Sequence, residues 1–332
     1  MITVEHLTKY YGDHLAVDDL SFEIADGHVY GFLGPNGAGK STTMNIITGC
    51  LSATEGSVRV DGHDIYEEPV EARKQIGYLP EQPPLYMNET PVDYLRFVGK
   101  AKGLRGAALE GAIETAIEST GIENVKHRRI ATLSKGYKQR VGIAQAILGD
   151  PGVIILDEPT VGLDPLQILE IRDLIRSLGE DHTVIFSSHI LSEVQAICDR
   201  ILMIAGGKLV AFGTPDDLEK QLLSPGEIRI TTDAEEDTVR SLLTSVSGIR
   251  EVQAQDEDDE FLQLRLILDT KDIYPVSGAV FKTFAENGLT LLEMSLKKAD
   301  LEDIFIELAE GNSVSSEEGA QEYDDTEKEE EE

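Results

Sequence analysis

The 332-residue sequence has no tryptophan and only two cysteines, Cys50 and Cys198. Two cysteines cannot build a disulfide framework, so a small secreted scaffold is excluded. Both thiols are expected as small buried residues in a reduced, cytoplasmic protein. Long apolar runs are also missing. The longest, such as Val153-Ile154-Ile155-Leu156, fall far short of the ~20 residues that span a bilayer. The opening MITVEHLTKYYG lacks the charged-then-apolar order of a signal peptide. Positive charge is scarce, with 29 Lys and Arg against 62 Asp and Glu and a net charge of −33. A general nucleic-acid binder leans the other way, because neutralising phosphate needs cations. Nucleic acid is therefore not an expected partner. His63, His127 and His182 show no ligand spacing, so no protein-held metal is expected.

Hydrophobic residues make up 41%, enough for a core, and the length suits one large domain plus a smaller one. The acidity is uneven. Residues 312–332 hold ten acidic residues and one Lys, with almost nothing apolar. Such a segment cannot offset its ordering entropy, and a disordered acidic tail is expected. Residues 224–311 carry 20 acidic and 8 basic residues. Against this trend, the stretch from Arg96 to Arg140 has ten basic residues and only Glu110, Glu114, Glu118 and Glu123. Either that surface meets something negative, or its cations pair with acidic neighbours.

Residues 2–33 alternate as strands, with turns at Gly12-Asp13 and Ala25-Asp26-Gly27. A helix is expected over 41–48, strands over 57–60 and 75–79, and a mainly helical segment over 91–149. Strand-like runs return at 153–157, 183–187 and 200–204, with helices at 166–178 and 190–198 between them. This alternation predicts a mainly parallel sheet with helices on its faces. Pro215 opens a further helix, and residues 222–226 read as a linker. Strand (227–232), helix (235–246), strand (249–255), strand (261–268), helix (273–287) and strand (289–296) follow. That βαββαβ order fits a ferredoxin-like sandwich.

Two motifs carry chemistry. Gly34-Pro35-Asn36-Gly37-Ala38-Gly39-Lys40-Ser41 matches G-x-x-x-x-G-K-[ST], after an apolar run and before a helix. Glycines let the backbone curl so that successive N–H groups point at phosphate oxygens, and the helix adds its positive end. Lys40 reaches the β- and γ-phosphates, and the Ser41 hydroxyl suits Mg²⁺. The second motif is the apolar run 153–156 followed by Asp157-Glu158. A carboxylate at a strand end beside the phosphate loop suits Mg²⁺, and the next one, pointing elsewhere, suits a water-polarising base.

Over residues 1–220 the sequence resembles the nucleotide-binding subunit of an ATP-binding-cassette (ABC) transporter. Leu133-Ser134-Lys135-Gly136-Tyr137-Lys138-Gln139-Arg140 stands where the family has its LSGGQ signature. Gln82 in Gly77-Tyr78-Leu79-Pro80-Glu81-Gln82 matches the Q-loop, Gly162-Leu163-Asp164 the D-loop and His189 the switch histidine. Tyr11 matches the aromatic that stacks on adenine, and Thr42 closes the phosphate loop. The signature departs from Ser-Gly-Gly-Gln and resembles the LSKGY form of ABC-2-type exporters, such as the gliding-motility ATP-binding subunit. Leu301-Glu302-Asp303-Ile304-Phe305 also resembles those cassettes.

The resemblance implies a P-loop ABC cassette over 1–223, with antiparallel and helical subdomains, an accessory α+β domain over 224–311 and a tail over 312–332. It implies Mg²⁺-dependent ATP hydrolysis by a subunit at the inner face of the membrane, serving a separate permease. Two cassettes would enclose two ATP molecules, each under Ser134, Lys135 and Gly136 of the opposite subunit, with Asp164 at the same face. Gly34 to Thr42, Tyr11 and Gln82 would bind nucleotide. Ser41, Gln82 and Asp157 would hold Mg²⁺, and Lys40, Glu158 and His189 would act in catalysis. The helical segment 91–149, with its basic residues, would face the permease. The alternatives are a soluble cassette ATPase in nucleic-acid or cofactor-assembly work, and an ATP-switched regulatory module.

Overall fold

The computed structural model describes residues 1–222, 227–255, 261–270 and 272–297. The chain forms two compact units that part at Pro215–Asp216.

In the first unit, β1 (Ile2–Tyr11) and β2 (His14–Ile24) form an antiparallel pair around the Gly12-Asp13 turn. Their alternation puts Ile2, Val4, Leu20 and Phe22 on the buried face. β3 (Val29–Leu33) is buried along its whole length, as its unbroken apolar run requires. It runs into the Gly-rich loop and α1 (Lys40–Ile47). β4 (Glu55–Val60) and the two-residue β5 (His63–Asp64) complete a four-stranded sheet in the order β2-β1-β4-β5. α2 (Pro69–Lys74) then leads to β6 (Ile76–Leu79).

The helical stretch comprises α3 (Pro91–Ala101), α4 (Gly106–Thr120) and α5 (Lys135–Ile147). Thr90 caps α3 by accepting from the Asp93 N–H, with Pro91 at the first helical position, where its missing N–H costs nothing. Thereafter strands and helices alternate: β7 (Val153–Leu156), α6 (Pro165–Leu178), β8 (Thr183–Ser188), α7 (Leu191–Ile197), β9 (Arg200–Ala205) and β10 (Lys208–Gly213). The second sheet has the order β10-β9-β3-β8-β7-β6. All its pairings are parallel except that of β10 at one edge. One core joins the two sheets through α1, with Phe22 against Phe32 edge-on and Met44, Val58 and Ile155 in the same cluster. Because β3, β6, β7 and β8 run in parallel, their carboxyl ends deliver the Gly-rich loop, Glu81, Asp157-Glu158 and His189 to one rim of the sheet.

α8 (Pro215–Leu222) starts at the boundary, and the second unit continues with β11 (Glu227–Thr232), α9 (Glu236–Leu243), β12 (Ile249–Gln255), β13 (Leu262–Leu268), α10 (Ile273–Glu286) and β14 (Leu291–Lys297). Its sheet is antiparallel throughout, in the order β12-β13-β11-β14. Ile228, Ile230, Leu264 and Leu266 pack with Val239, Leu243, Val280 and Phe284 of α9 and α10.

Some expectations need correction. Hydrophobic patterning did not show β5, α2 or β10. β5 is two residues long, α2 buries only Ala72, and β10 is a partly exposed edge strand. α9 stops at Leu243, three residues before the expected end. Cys198 is buried, but Cys50 is exposed just past the end of α1. Among the described residues no helix is long and apolar enough to cross a membrane. The expectations for 301–305 and for the tail at 312–332 lie outside the described residues.

Candidate functional site

A cleft of about 500 Å³ opens at the rim of the parallel sheet, lined by Tyr11 and by Asn36 to Thr42 together with Glu81, Glu158 and His189. Gly39 is the residue before α1, with φ of 99°. A side chain there would strain the backbone and press on the Ala16 carbonyl, so glycine is required. Lys40 starts α1 and is almost wholly buried. Its ammonium donates to the Gly34 and Pro35 carbonyls at 2.9 and 3.2 Å and lies 3.4 Å from Glu158 Oε1.

Asp157 follows β7 and is 2% exposed. Its Oδ1 accepts from Ser187 Oγ at 2.6 Å and from Ser41 Oγ at 3.1 Å. Burial raises its pKa from the ordinary aspartate value, opposed by the two hydroxyls and by Lys40, with Glu158 adding to the rise. Glu158 sits in the left-handed region with φ of 47°. A non-glycine residue held there stores about 1–3 kcal/mol of backbone strain, which its surroundings must over-determine. They do so through several contacts. The Glu158 N–H donates to Ser187 Oγ at 2.8 Å, and the carboxylate lies between Lys40 on Oε1 and His189 Nδ1, 2.9 Å from Oε2. Glu158 itself is 8% exposed, while His189 is partly open to the cleft.

The remaining candidates are dispersed. Tyr11 is exposed on the cleft wall, with Lys9 Nζ 5.4 Å from its ring centre. Gln82 is exposed but does not line the cleft, and its neighbour Glu81 does. Ser134, Lys135 and Gly136 do not line it either. Ser134 caps α5, accepting from the Tyr137 N–H at 3.3 Å. The Lys135 ammonium rests against Gly162, and Gly136 packs on Gln167 of α6. Asp164 caps α6, accepting from the Gln167 N–H at 3.0 Å.

Four of the ten cations in the basic stretch make internal bonds. Arg96 forks onto Glu110 and also meets Asp93. Arg105 donates to the Lys100 and Leu104 carbonyls, and Arg140 to the Thr120 carbonyl and Glu170. Lys102 donates to the carbonyls of Gln145, Ala146 and Leu148. Lys100, Arg128 and Arg129 remain exposed, and an exposed aromatic patch stands beside α3. Tyr86, Met87 and Phe97 are exposed, and the Tyr86 ring centre lies 5.2 Å from that of Phe97 and 5.7 Å from that of Tyr94.

Sequence reasoning missed Glu81 and Ser187. Glu81 lines the cleft directly beside Gln82 in the same motif. Ser187 stands beside Ser188 and His189 in the quoted motif, but nothing in the sequence shows that its hydroxyl reaches both Asp157 and the Glu158 N–H.

A family model described as ABC transporter matches residues 17–161. The bacitracin transport ATP-binding protein of Bacillus licheniformis is 32% identical over 316 residues, covering 95% of this chain and 99% of that protein. The linearmycin resistance ATP-binding protein of Bacillus subtilis is 32% identical over 310 residues, covering 93% and 98%. A solved dimeric ATP-binding cassette in a post-hydrolysis state, bound to ADP and Pi, is 26% identical with a TM-score of 0.58, covering 64% of this chain and 98% of that one.

Proposed function

This chain belongs to the ATP-binding proteins of ABC transporters, and from that premise we propose how its residues carry out ATP hydrolysis for a separate permease. The observation that carries the reading is the Glu158 carboxylate, held between Lys40 and His189 at the floor of the cleft. The backbone N–H groups from Asn36 to Ser41 and the start of α1 bind the phosphates, and Tyr11 stacks on the base. Lys40 turns from the loop carbonyls to the phosphates and offsets charge on the group in transfer. Ser41 and Asp157 would hold the Mg²⁺ that arrives with ATP. Their two oxygens, 3.1 Å apart, are hard donors that suit that ion, which would supply further neutralisation of phosphate charge. Glu158 takes a proton from the attacking water, and His189 holds the carboxylate in place. Gln82, beside Glu81 on the cleft wall, would meet the Mg²⁺ or the attacking water, and its loop leads onward to the helical segment.

Ser134, Lys135 and Gly136, with Asp164 nearby, complete the site of a second subunit. Their place away from their own cleft, and the dimeric state of a related cassette, support this. Loss of the γ-phosphate then loosens the pair. The Tyr86–Met87–Phe97 patch is the docking surface for the permease, which places the chain at the inner face of the membrane. The LSKGY signature favours export, and the names of the bacitracin and linearmycin relatives favour an antimicrobial cargo. The second unit, with its βαββαβ order, is a ferredoxin-like accessory domain.

The test is the mass of the full-length Glu158→Gln chain by light scattering. With Mg·ATP it is expected to reach twice the monomer mass and to stay there. A monomer at saturating nucleotide would sink the shared-site reading.

A further inference from the structure

Behind the cleft lies a buried carboxylate that none of the steps above uses. Glu193, in the first turn of α7, is 2% exposed. Its Oε2 accepts from Thr160 Oγ1 at 2.7 Å and from Ser188 Oγ at 3.0 Å, and both hydroxyl residues are buried. Thr160 comes two residues after Glu158, and Ser188 directly precedes His189. One carboxylate oxygen therefore ties together the two loops that bring Glu158 and His189 to 2.9 Å. The other oxygen faces Arg172 of α6 at 3.8 Å. Arg172 Nε is a buried side-chain nitrogen without a hydrogen-bond partner among the described residues.

An ionised group in such a place is costly, and packing alone would be served as well by a neutral side chain. The carboxylate is also held from a fixed point. α7 lies so close to β3 that a side chain at Gly31 would collide with Val194 and Cys198. Arg176 of α6 donates to the Ala196 carbonyl at 2.9 Å and pins the far end of α7. β3 leads into the Gly-rich loop, so Glu193 is referenced to the same strand that positions the phosphates.

We propose that Glu193 is a positioning residue for hydrolysis: it sets Glu158 against His189 by holding Thr160 and Ser188 from a helix anchored on β3. Arg172 extends that hold to α6, the helix that Asp164 caps. The proposal rests on the reading of Glu158 as the base.

The test uses the full-length chain in Mg·ATP, with kcat, KM and melting temperature measured for Glu193→Ala, Glu193→Gln and Thr160→Val. Glu193→Ala is expected to lower kcat on the order of thirtyfold, with KM for ATP within about twofold, because the phosphate loop is untouched. Glu193→Gln restores an acceptor at the same place and is expected to recover most of kcat. Thr160→Val is expected to lower kcat several-fold and to add nothing on top of Glu193→Ala, which already removes the one bond that Thr160→Val breaks. A merely structural role predicts otherwise. If KM rises in step with the loss of kcat, if glutamine rescues no better than alanine, or if the two costs multiply, the proposal is wrong. Should the alanine variant fail to fold, Thr160→Val decides, and an unchanged kcat there overturns the proposal. Glu158→Gln is measured alongside. If that variant turns over normally, the reading of the base fails, whatever Glu193 does.

Discussion

Asp157 keeps a buried carboxylate on two hydroxyl donors with almost no water, an arrangement that serves function at a cost in stability. Burial raises its pKa, so the folded chain binds that proton more tightly than the unfolded chain does. The stabilisation this brings is complete below the unfolded value near ~3.9 and is lost as pH rises through the higher folded value. At neutral pH the charged group therefore costs stability. Asp157→Asn is expected to raise the melting temperature of the nucleotide-free chain at pH 7 by a few degrees, while Mg²⁺-dependent phosphate release is lost. A lower melting temperature would contradict the sign. At this scale the sequence was legible wherever spacing encodes geometry. The Gly-rich loop and the Asp157-Glu158 pair could be read because strand ends and helix starts fix where their side chains go. The placement of Glu81, Ser187 and Glu193 could not, because it depends on which loops meet across the sheet.

Among the elements, α5 shows how a surface cation becomes structural. At its C-terminal end the Asp150 N–H bonds the Ile147 carbonyl, and Lys102 bonds the carbonyls of Gln145, Ala146 and Leu148. Its stem crosses the surface while its ammonium is tucked against the last turn. Replacing it by methionine is expected to cost about 1–2 kcal/mol, from the lost bonds and the negative end of the helix. Burial pushes the ammonium down to about 8, whereas in the unfolded chain it titrates near ~10.4. Between these values the folded chain releases the proton first. The stability of the parent relative to Lys102→Met is therefore expected to increase as pH rises from about 8 toward about 10. Denaturant unfolding of both proteins across that range checks it, and a falling difference would contradict it. A count of charges suggested a basic docking face here, and composition cannot show that Arg96, Lys102, Arg105 and Arg140, four of the ten cations, already have partners. The central strands were legible from their apolar runs. The edge strand β10 and the short α2 were not, since neither buries enough surface to leave a period.

At the scale of the whole molecule, the proposed function assigns two kinds of face to partners: the signature and D-loop to a second cassette, and the aromatic patch to a permease. An apolar patch holds its partner through desolvation, which salt hardly screens. Tyr86→Ser with Phe97→Ser is expected to abolish co-purification with the permease while ATP affinity stays within about twofold. The parent complex is expected to persist across a salt series. Intact co-purification of the double variant would move the docking surface elsewhere. The alternating order of strands and helices foretold the parallel sheet of the first unit, and the βαββαβ order foretold the antiparallel sheet of the second. The central claim, that Glu158 is the base of an ATPase, is tested most directly by steady-state phosphate release at saturating Mg·ATP. The account predicts turnover by the parent chain and a loss on the order of a hundredfold or more in Glu158→Gln; release at the parental rate would contradict it.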